Sequence, residues 1–373
     1  MRHGERHDGG MTSTDSIVRR VRRAVMSGDD LGRAIASEVQ RANELALGEA
    51  TLTEFHESDV AHRVTGFGFL QPHLDDPTVE EIWINDSRAV FVARSGLHER
   101  IPADLSAEDV RTLVERMLRR SGRRVDVSQP FVDASLPDGS RLHVVIPPIT
   151  REHWSLNIRK FSTSVRTLDD LVTHGAIAPE AKRVLRTAMV EGRTVLVSGA
   201  TQAGKTTMVC ALLSELDVTE RIVTVEETFE IATGHPDTVA MQCRGASLDG
   251  LGEITLRRLV KEALRMRPTR LVVGEVRGDE SLDLLVALNS GIPGLCTIHA
   301  NSSADAVRKL VTLCQLAGGV SEAFVTATIR ATIDLVVHCR MDGDGQRRVV
   351  DIARPVASNR RGALATESLW AQQ

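Results

Sequence analysis

The 373 residues exceed what one ordinary core organises and imply two domains plus a smaller appendage. With 42% hydrophobic and 26% charged residues the chain reads as a soluble globular protein, and a net charge of −4 excludes a global basic field for holding nucleic acid or an anionic membrane. Aromatic residues are only 3%, with no tyrosine, so the stacking platforms of single-strand binders are missing too.

In chain order, Met1 to Ser16 is polar, lacks the apolar core of a signal peptide and reads as a disordered extension, with Met11 an alternative start. Residues 17–65 read as a helical appendage. Its first helix sets Ile17, Val18, Val21 and Val25 at helical spacing, with Arg19, Arg20, Arg22 and Arg23 on the other side. Two readings of that helix stand: the solvated face of a small bundle, or a basic amphipathic surface for an anionic membrane or a partner. Residues 66–162 read as an α+β domain with strands at Glu81–Asn85, Ala89–Arg94, Arg141–Ile146 and Ser155–Phe161, and a helix over Ser106–Arg120. Residues 163–192 read as a charged helical bridge. From 193 to 373, strands at Thr194–Ser198, Arg221–Val225, Arg270–Val273 and Gly294–His299 alternate with helical segments, the pattern of a parallel sheet with crossover helices. No run of 18 apolar residues occurs, and five dispersed cysteines form no C-x-x-C pair, so a cytoplasmic chain with reduced thiols and no zinc is expected.

The densest chemical signal is Gly199-Ala200-Thr201-Gln202-Ala203-Gly204-Lys205-Thr206, followed by Thr207, between a strand and a helix-prone segment. Glycines let backbone N–H groups approach phosphate oxygens, and the new helix points its positive end at the same anion. Lys205 is expected on the β and γ phosphates and Thr206 on Mg²⁺. Only five of the 46 basic residues are lysines, which makes the one at 205 more telling. The strand Leu271-Val272-Val273 ends in Gly274-Glu275, where many phosphate-loop enzymes have Asp-Glu. Glu275 is the candidate to polarise the attacking water, against a merely solvated strand end. The strand ending at Val225 runs into Glu226-Glu227-Thr228-Phe229-Glu230, carboxylates at the edge where α/β sheets bind ligands. Thr297-Ile298-His299-Ala300-Asn301 ends the next strand, and His299 reads either as a γ-phosphate sensor or as a satisfied structural histidine.

Together these segments resemble the ATPases of the type II/type IV secretion superfamily from about Val60 to Pro355: the phosphate loop, the acidic box 221–231, LVVGEVRG at 271–278 and TIHANS at 297–302. The stretches Gly66–Asn85, Gly122–Ile149 and Asn157–Phe161 look like the tight-adherence (Tad/Cpa) pilus-assembly branch. The resemblance implies an α/β, RecA-like P-loop domain with a parallel sheet, preceded by a smaller α+β, PAS-like domain and the short helical appendage. It implies a homohexamer that hydrolyses ATP with Mg²⁺ and works on inner-membrane platform proteins of a Tad-like pilus or secretion system. The protein would then sit peripherally at the cytoplasmic membrane face, without stable nucleic-acid binding. Arg141 and Arg159 would be arginine fingers, Glu226, Glu227 and Glu230 supports for metal and water, and Thr206 with Glu227 the metal-side residues. The competing readings are a conjugation-type or nucleic-acid-translocating ATPase and a nucleotide-gated assembly factor with little turnover. Departures are Gln202-Ala203 in place of Gly-Ser, Glu227 in place of Asp, and Cys296 in place of a common Thr.

Overall fold

A computed structural model describes residues 14–27, 29–48, 55–64, 66–103, 105–119, 121, 123–160, 165, 167–245, 252–358 and 364–372. Most of the predicted 1–16 extension, Met11 and Phe161 therefore lie outside the described residues. By packing, the chain divides into two units, residues 1–92, 99–137 and 142–160, and residues 93–98, 138–141 and 161–373.

The first unit begins with helices α1 (Thr14–Met26), α2 (Leu31–Gly48) and α3 (Glu57–Val64). Ile17, Val18 and Val21 of α1 are buried in one cluster with Ala34, Ile35, Val39 and Val60. Three of the four stripe residues of α1 are thus covered by its neighbours and Val25 is exposed; Arg19, Arg22 and Arg23 face solvent while Arg20 Nε donates to Glu38 at 2.6 Å. This packing is that of the bundle reading, with Val25 and Met26 at the end of α1 left exposed.

There follow α4 (Gln71–Asp75), β1 (Val79–Asp86), β2 (Ala89–Arg94), β3 (Leu97–Ile101), α5 (Ala107–Arg119), β4 (Phe131–Ser135), β5 (Arg141–Val145) and β6 (Ser155–Arg159). They build a six-stranded sheet in the order β3-β2-β1-β6-β5-β4. Alternate residues of β4, β5 and β6 are buried, the signature of a sheet with one covered face. Val132, Val144 and Ile158 from that face share a core with Val110, Val114 and Met117 of α5.

The second unit holds α6 (Leu168–Thr173), α7 (Pro179–Val190), β7 (Val195–Gly199), α8 (Lys205–Leu213), β8 (Ile222–Glu226), β9 (Thr238–Gln242), α9 (Leu256–Ala263) and β10 (Arg270–Val273). It continues with α10 (Glu280–Leu288), β11 (Gly294–His299), α11 (Ser303–Leu316), α12 (Glu322–Thr332), β12 (Leu335–Met341), β13 (Arg347–Ala357) and β14 (Leu364–Ala371). The sheet order is β14-β13-β12-β7-β11-β10-β8-β9. The strands β12-β7-β11-β10-β8-β9 are parallel, and β13 and β14 are added antiparallel. β7, β8 and β10 are buried at every residue, as strands covered by helices on both faces must be.

The predicted bridge at 163–192 needs correcting. Leu168, Leu171, Ala181, Leu185 and Met189 of α6 and α7 are buried in one cluster with Val195, Val197 and Leu212, so these helices form a layer of the second unit. Their charged residues are the solvent side of amphipathic helices whose apolar side anchors to the sheet.

Candidate functional site

Because β7, β8, β10 and β11 are parallel, their carboxyl ends come to one edge. The register sets His299 opposite Gly199 and Val273 opposite both Val225 and Cys296. The phosphate loop leaves β7 at Gly199, where a Cβ would collide with the carbonyl oxygen of Cys339. Gly204 caps α8 at φ +87°, a left-handed conformation glycine adopts without penalty. Ala200 and Thr201 are exposed, Ala203 is buried and Gln202 half-buried; Thr206 and Thr207 follow in the first turn of α8.

Lys205 is buried, and its Nζ donates to Ala200 O at 2.8 Å and lies 3.2 Å from His299 Nδ1. An ammonium only donates, so Nδ1 accepts and the neutral imidazole carries its proton on Nε2. Burial and then the Lys205 charge push the His299 pKa down, with Glu275 opposing, which keeps the ring neutral. Nε2 stands 2.7 Å from Glu275 Oε1, off the line of a well-formed hydrogen bond, so this oxygen is buried without a directed partner. The other oxygen, Oε2, accepts from Arg277 at 2.6 Å, and Arg277 also donates to Glu227 at 2.9 Å. Burial alone would raise the Glu275 pKa; the Arg277 hydrogen bond and charge, with His299 and Lys205, bring it below the usual carboxylate value. A row of polar side chains, Lys205, His299, Glu275, Arg277, Glu227, with a neutral imidazole between the first cation and the carboxylate, therefore crosses three strand ends.

The acidic box divides its labour unevenly. Glu226 is buried and accepts from the backbone N–H of Glu230 (2.7 Å) and Ile231 (2.9 Å) and from Thr224 Oγ1 (3.1 Å). Burial raises its pKa to about 7, against the pull of those hydrogen bonds. Both oxygens of Glu226, expected to support metal and water, are taken up locally: Oε2 by the two backbone N–H groups and Oε1 by the Thr224 hydroxyl. Glu227, the expected metal-side acid, is exposed and engaged by Arg277. Glu230 is the acid beside the loop, accepting from Thr206 Oγ1 at 3.3 Å. Gly274 also finds a reason: a Cβ there would stand 3.2 Å from Glu226 Cγ on the neighbouring strand. The position usually given to an aspartate is filled from β8.

A magnesium nucleotide suits these groups. Phosphate would meet the loop, the α8 amino end and Lys205; the metal would lie by Thr206 and Glu230; and the undirected, buried Glu275 Oε1 faces the same edge. A pocket of about 550 Å³ opens beside the loop, lined by Ala200, Thr201, His299, Ala300 and Asn301 together with Asp305 and Lys309 of α11. Sequence reasoning gave Arg277 and Lys309 no role, although Lys309 Nζ fixes the His299 carbonyl at 2.9 Å. The signal for Arg277 was its place two residues after Glu275; only the structure links it to the acidic box. Arg141 and Arg159 lie on β5 and β6 of the six-stranded sheet, Arg159 with its Nε 3.9 Å from Glu81.

The type II/IV secretion system protein family matches residues 63–367. The chain belongs to this family. Its members are secretion-system motor ATPases, so nucleotide binding and ATPase chemistry follow in general terms. A Mycobacterium tuberculosis (strain H37Rv) protein provisionally named for conjugal transfer is 37% identical over 322 residues, covering 82% of this chain and 89% of that one. VirB11 of Agrobacterium fabrum is 31% identical over 305 residues, covering 73% and 87%. The X-ray structure of the Legionella pneumophila ATPase DotB shares the fold, with a TM-score of 0.55, 20% identity and coverage of 75% and 78%. No helix among the described residues is long and apolar enough to cross a membrane.

Proposed function

We propose that the chain is a Mg²⁺-dependent ATP-hydrolysing motor that works as a ring on an inner-membrane platform of a secretion or Tad-like pilus system. The observation that carries this reading is the row from Lys205 through His299 to Glu275, with Thr206 and Glu230 beside it. Bound Mg²⁺ would supply charge neutralisation for phosphoryl transfer. Lys205 and the loop N–H groups bind the phosphates, Thr206 and Glu230 orient the metal side, Glu275 takes a proton from water, and His299 relates the phosphate to that base. Glu226 fixes the box backbone, and Arg277 holds Oε2 of Glu275. In this reading Arg141 and Arg159 serve as fingers that make turnover depend on neighbouring groups.

The test is steady-state ATP turnover of purified protein with Mg²⁺, with and without the platform protein. Lys205→Ala is expected to lose nucleotide binding, and Glu275→Gln to keep binding but lose turnover. Substantial turnover by Glu275→Gln removes that residue from the role of base, and tight ATP binding without turnover by the wild type favours a nucleotide-gated assembly factor. The 37% identical relative named for conjugal transfer favours a second reading, a conjugation-type secretion motor. Salt-dependent binding to single-stranded DNA supports that alternative.

A further inference from the structure

The phosphate loop lacks glycine at one place where its backbone calls for it. Ala203 N–H donates to Ala200 O at 3.3 Å, closing a four-residue turn whose third member, Gln202, sits at φ +64°. That turn position favours glycine or asparagine, and for another residue the left-handed conformation costs about tenfold in an equilibrium constant. The surroundings must hold Gln202 there. Two contacts identify the holder as Arg347. Its Nε donates to the Gln202 carbonyl oxygen at 2.9 Å. Its aliphatic stem crosses the loop, so that a Cβ on Gly204 would stand 3.5 Å from Arg347 Cδ and 3.8 Å from its Cβ. The sheet delivers this side chain from the flank opposite the acidic box: β12 lies beside β7, and Arg347 opens β13 in register with Met341 of β12.

We propose that Arg347 is a positioning residue for the phosphate loop, a clamp on the Gln202 peptide that replaces the conformational freedom of a glycine. With the carbonyl of residue 202 pinned toward Arg347, the loop keeps one shape before phosphate arrives. A guanidinium suits this task because its charge is constant across physiological pH and its donors are fixed in a plane. The inference rests on the reading of this loop as a nucleotide site.

The experiment titrates a fluorescent ATP analogue into the full chain as wild type, Arg347→Met, Gln202→Gly and the double variant. Arg347→Met keeps the stem over Gly204 and removes the donor. It is expected to weaken binding about tenfold and to raise KM for ATP similarly with kcat within about twofold, the loss of one charge-assisted hydrogen bond. Gln202→Gly alters the loop itself, so the comparison is made within that background: there, adding Arg347→Met is expected to cost less than about threefold, because glycine no longer needs the clamp. Arg347→Lys keeps stem and charge without the fixed Nε donor and is expected to lose about threefold, on a fold as stable as the wild type. Wild-type affinity in Arg347→Met, or a loss that Gln202→Gly leaves unchanged, overturns the clamp while leaving the nucleotide site intact. Absence of binding by the wild type overturns the site and the clamp together.

Discussion

Glu226 offers a prediction whose sign and size both come from its surroundings. Its side chain is buried at the end of β8, and its pKa in the folded chain is about 7 against an ordinary 4.5. Below pH 4.5 the group is protonated in folded and unfolded chains alike. Between 4.5 and 7 the unfolded chain releases the proton and the folded chain keeps it, so the folded state binds more protons and stability falls as pH rises through this window. At 1.36 kcal/mol per unit, the loss from this one group reaches roughly 3 kcal/mol by pH 8. Glu226→Gln removes the titration and keeps a carbonyl oxygen to accept from Glu230 and Ile231 N–H. Urea unfolding of both proteins by circular dichroism, without nucleotide, from pH 5 to pH 8 isolates the effect, since every other group titrates in both. The variant is expected to gain on the wild type by about 2.5 kcal/mol across that range, the first part of the loss falling below pH 5. Parallel stability profiles would refute the reasoning, because they require Glu226 to ionise as it does in water.

Replacing Arg277 with Gln removes a hydrogen bond to a charged acceptor, about 1.5–3 kcal/mol in general, reduced to about 1 here because the guanidinium is half exposed. A fall of about fivefold in kcat at pH 7 is expected, with KM little changed. The acid limb of the rate profile should move to higher pH, since burial then governs Glu275; an unmoved limb contradicts the role assigned to Arg277. Arg270, 1% exposed at the start of β10 and 3.1 Å from Glu220, is a buried structural charge, and Arg270→Ala should cost about 3–5 kcal/mol in chemical unfolding. A loss below about 1 kcal/mol would show that Glu220 finds water in its absence. Gly274→Asp should destabilise by about 1–3 kcal/mol through crowding against Glu226. Part of that loss should be recovered in combination with Glu226→Gln, where the like charge is gone, and strictly additive effects in unfolding midpoints would deny the contact.

The parallel strands β7, β8, β10 and β11 were legible because burial on both faces writes itself as a short, mostly apolar run. The strand β3 was not: four of its five residues are exposed and no alternation marks them. It exists because Ser95 and Gly96, at φ +50° and +76°, turn the chain back beside β2. Likewise β13 and β14 carry mixed exposure along their length, and their place follows from pairing outward from β12. In α6 and α7 the acidic and basic residues drew attention from Leu168, Leu171, Ala181 and Leu185, whose spacing marks a buried face.

The site was legible as a set of segments, because each chemical group ends a strand or begins a helix, and topology alone carries such ends to one edge. What the linear order hides is which carboxylate meets which partner. Three glutamates within five residues look interchangeable in the sequence, yet one is buried against backbone N–H groups, one is exposed to Arg277 and one reaches Thr206. The difference lies in strand geometry: Glu226 still belongs to β8 and points into the sheet edge beside Gly274, while 227 and 230 lie beyond it. The absence of an aspartate at 274 and the burial of a glutamate at 226 are therefore one structural fact. A Cβ at 274 would crowd Glu226 Cγ, and the chain puts its carboxylate on β8, where it can hold the turn that brings Glu230 to the phosphate loop.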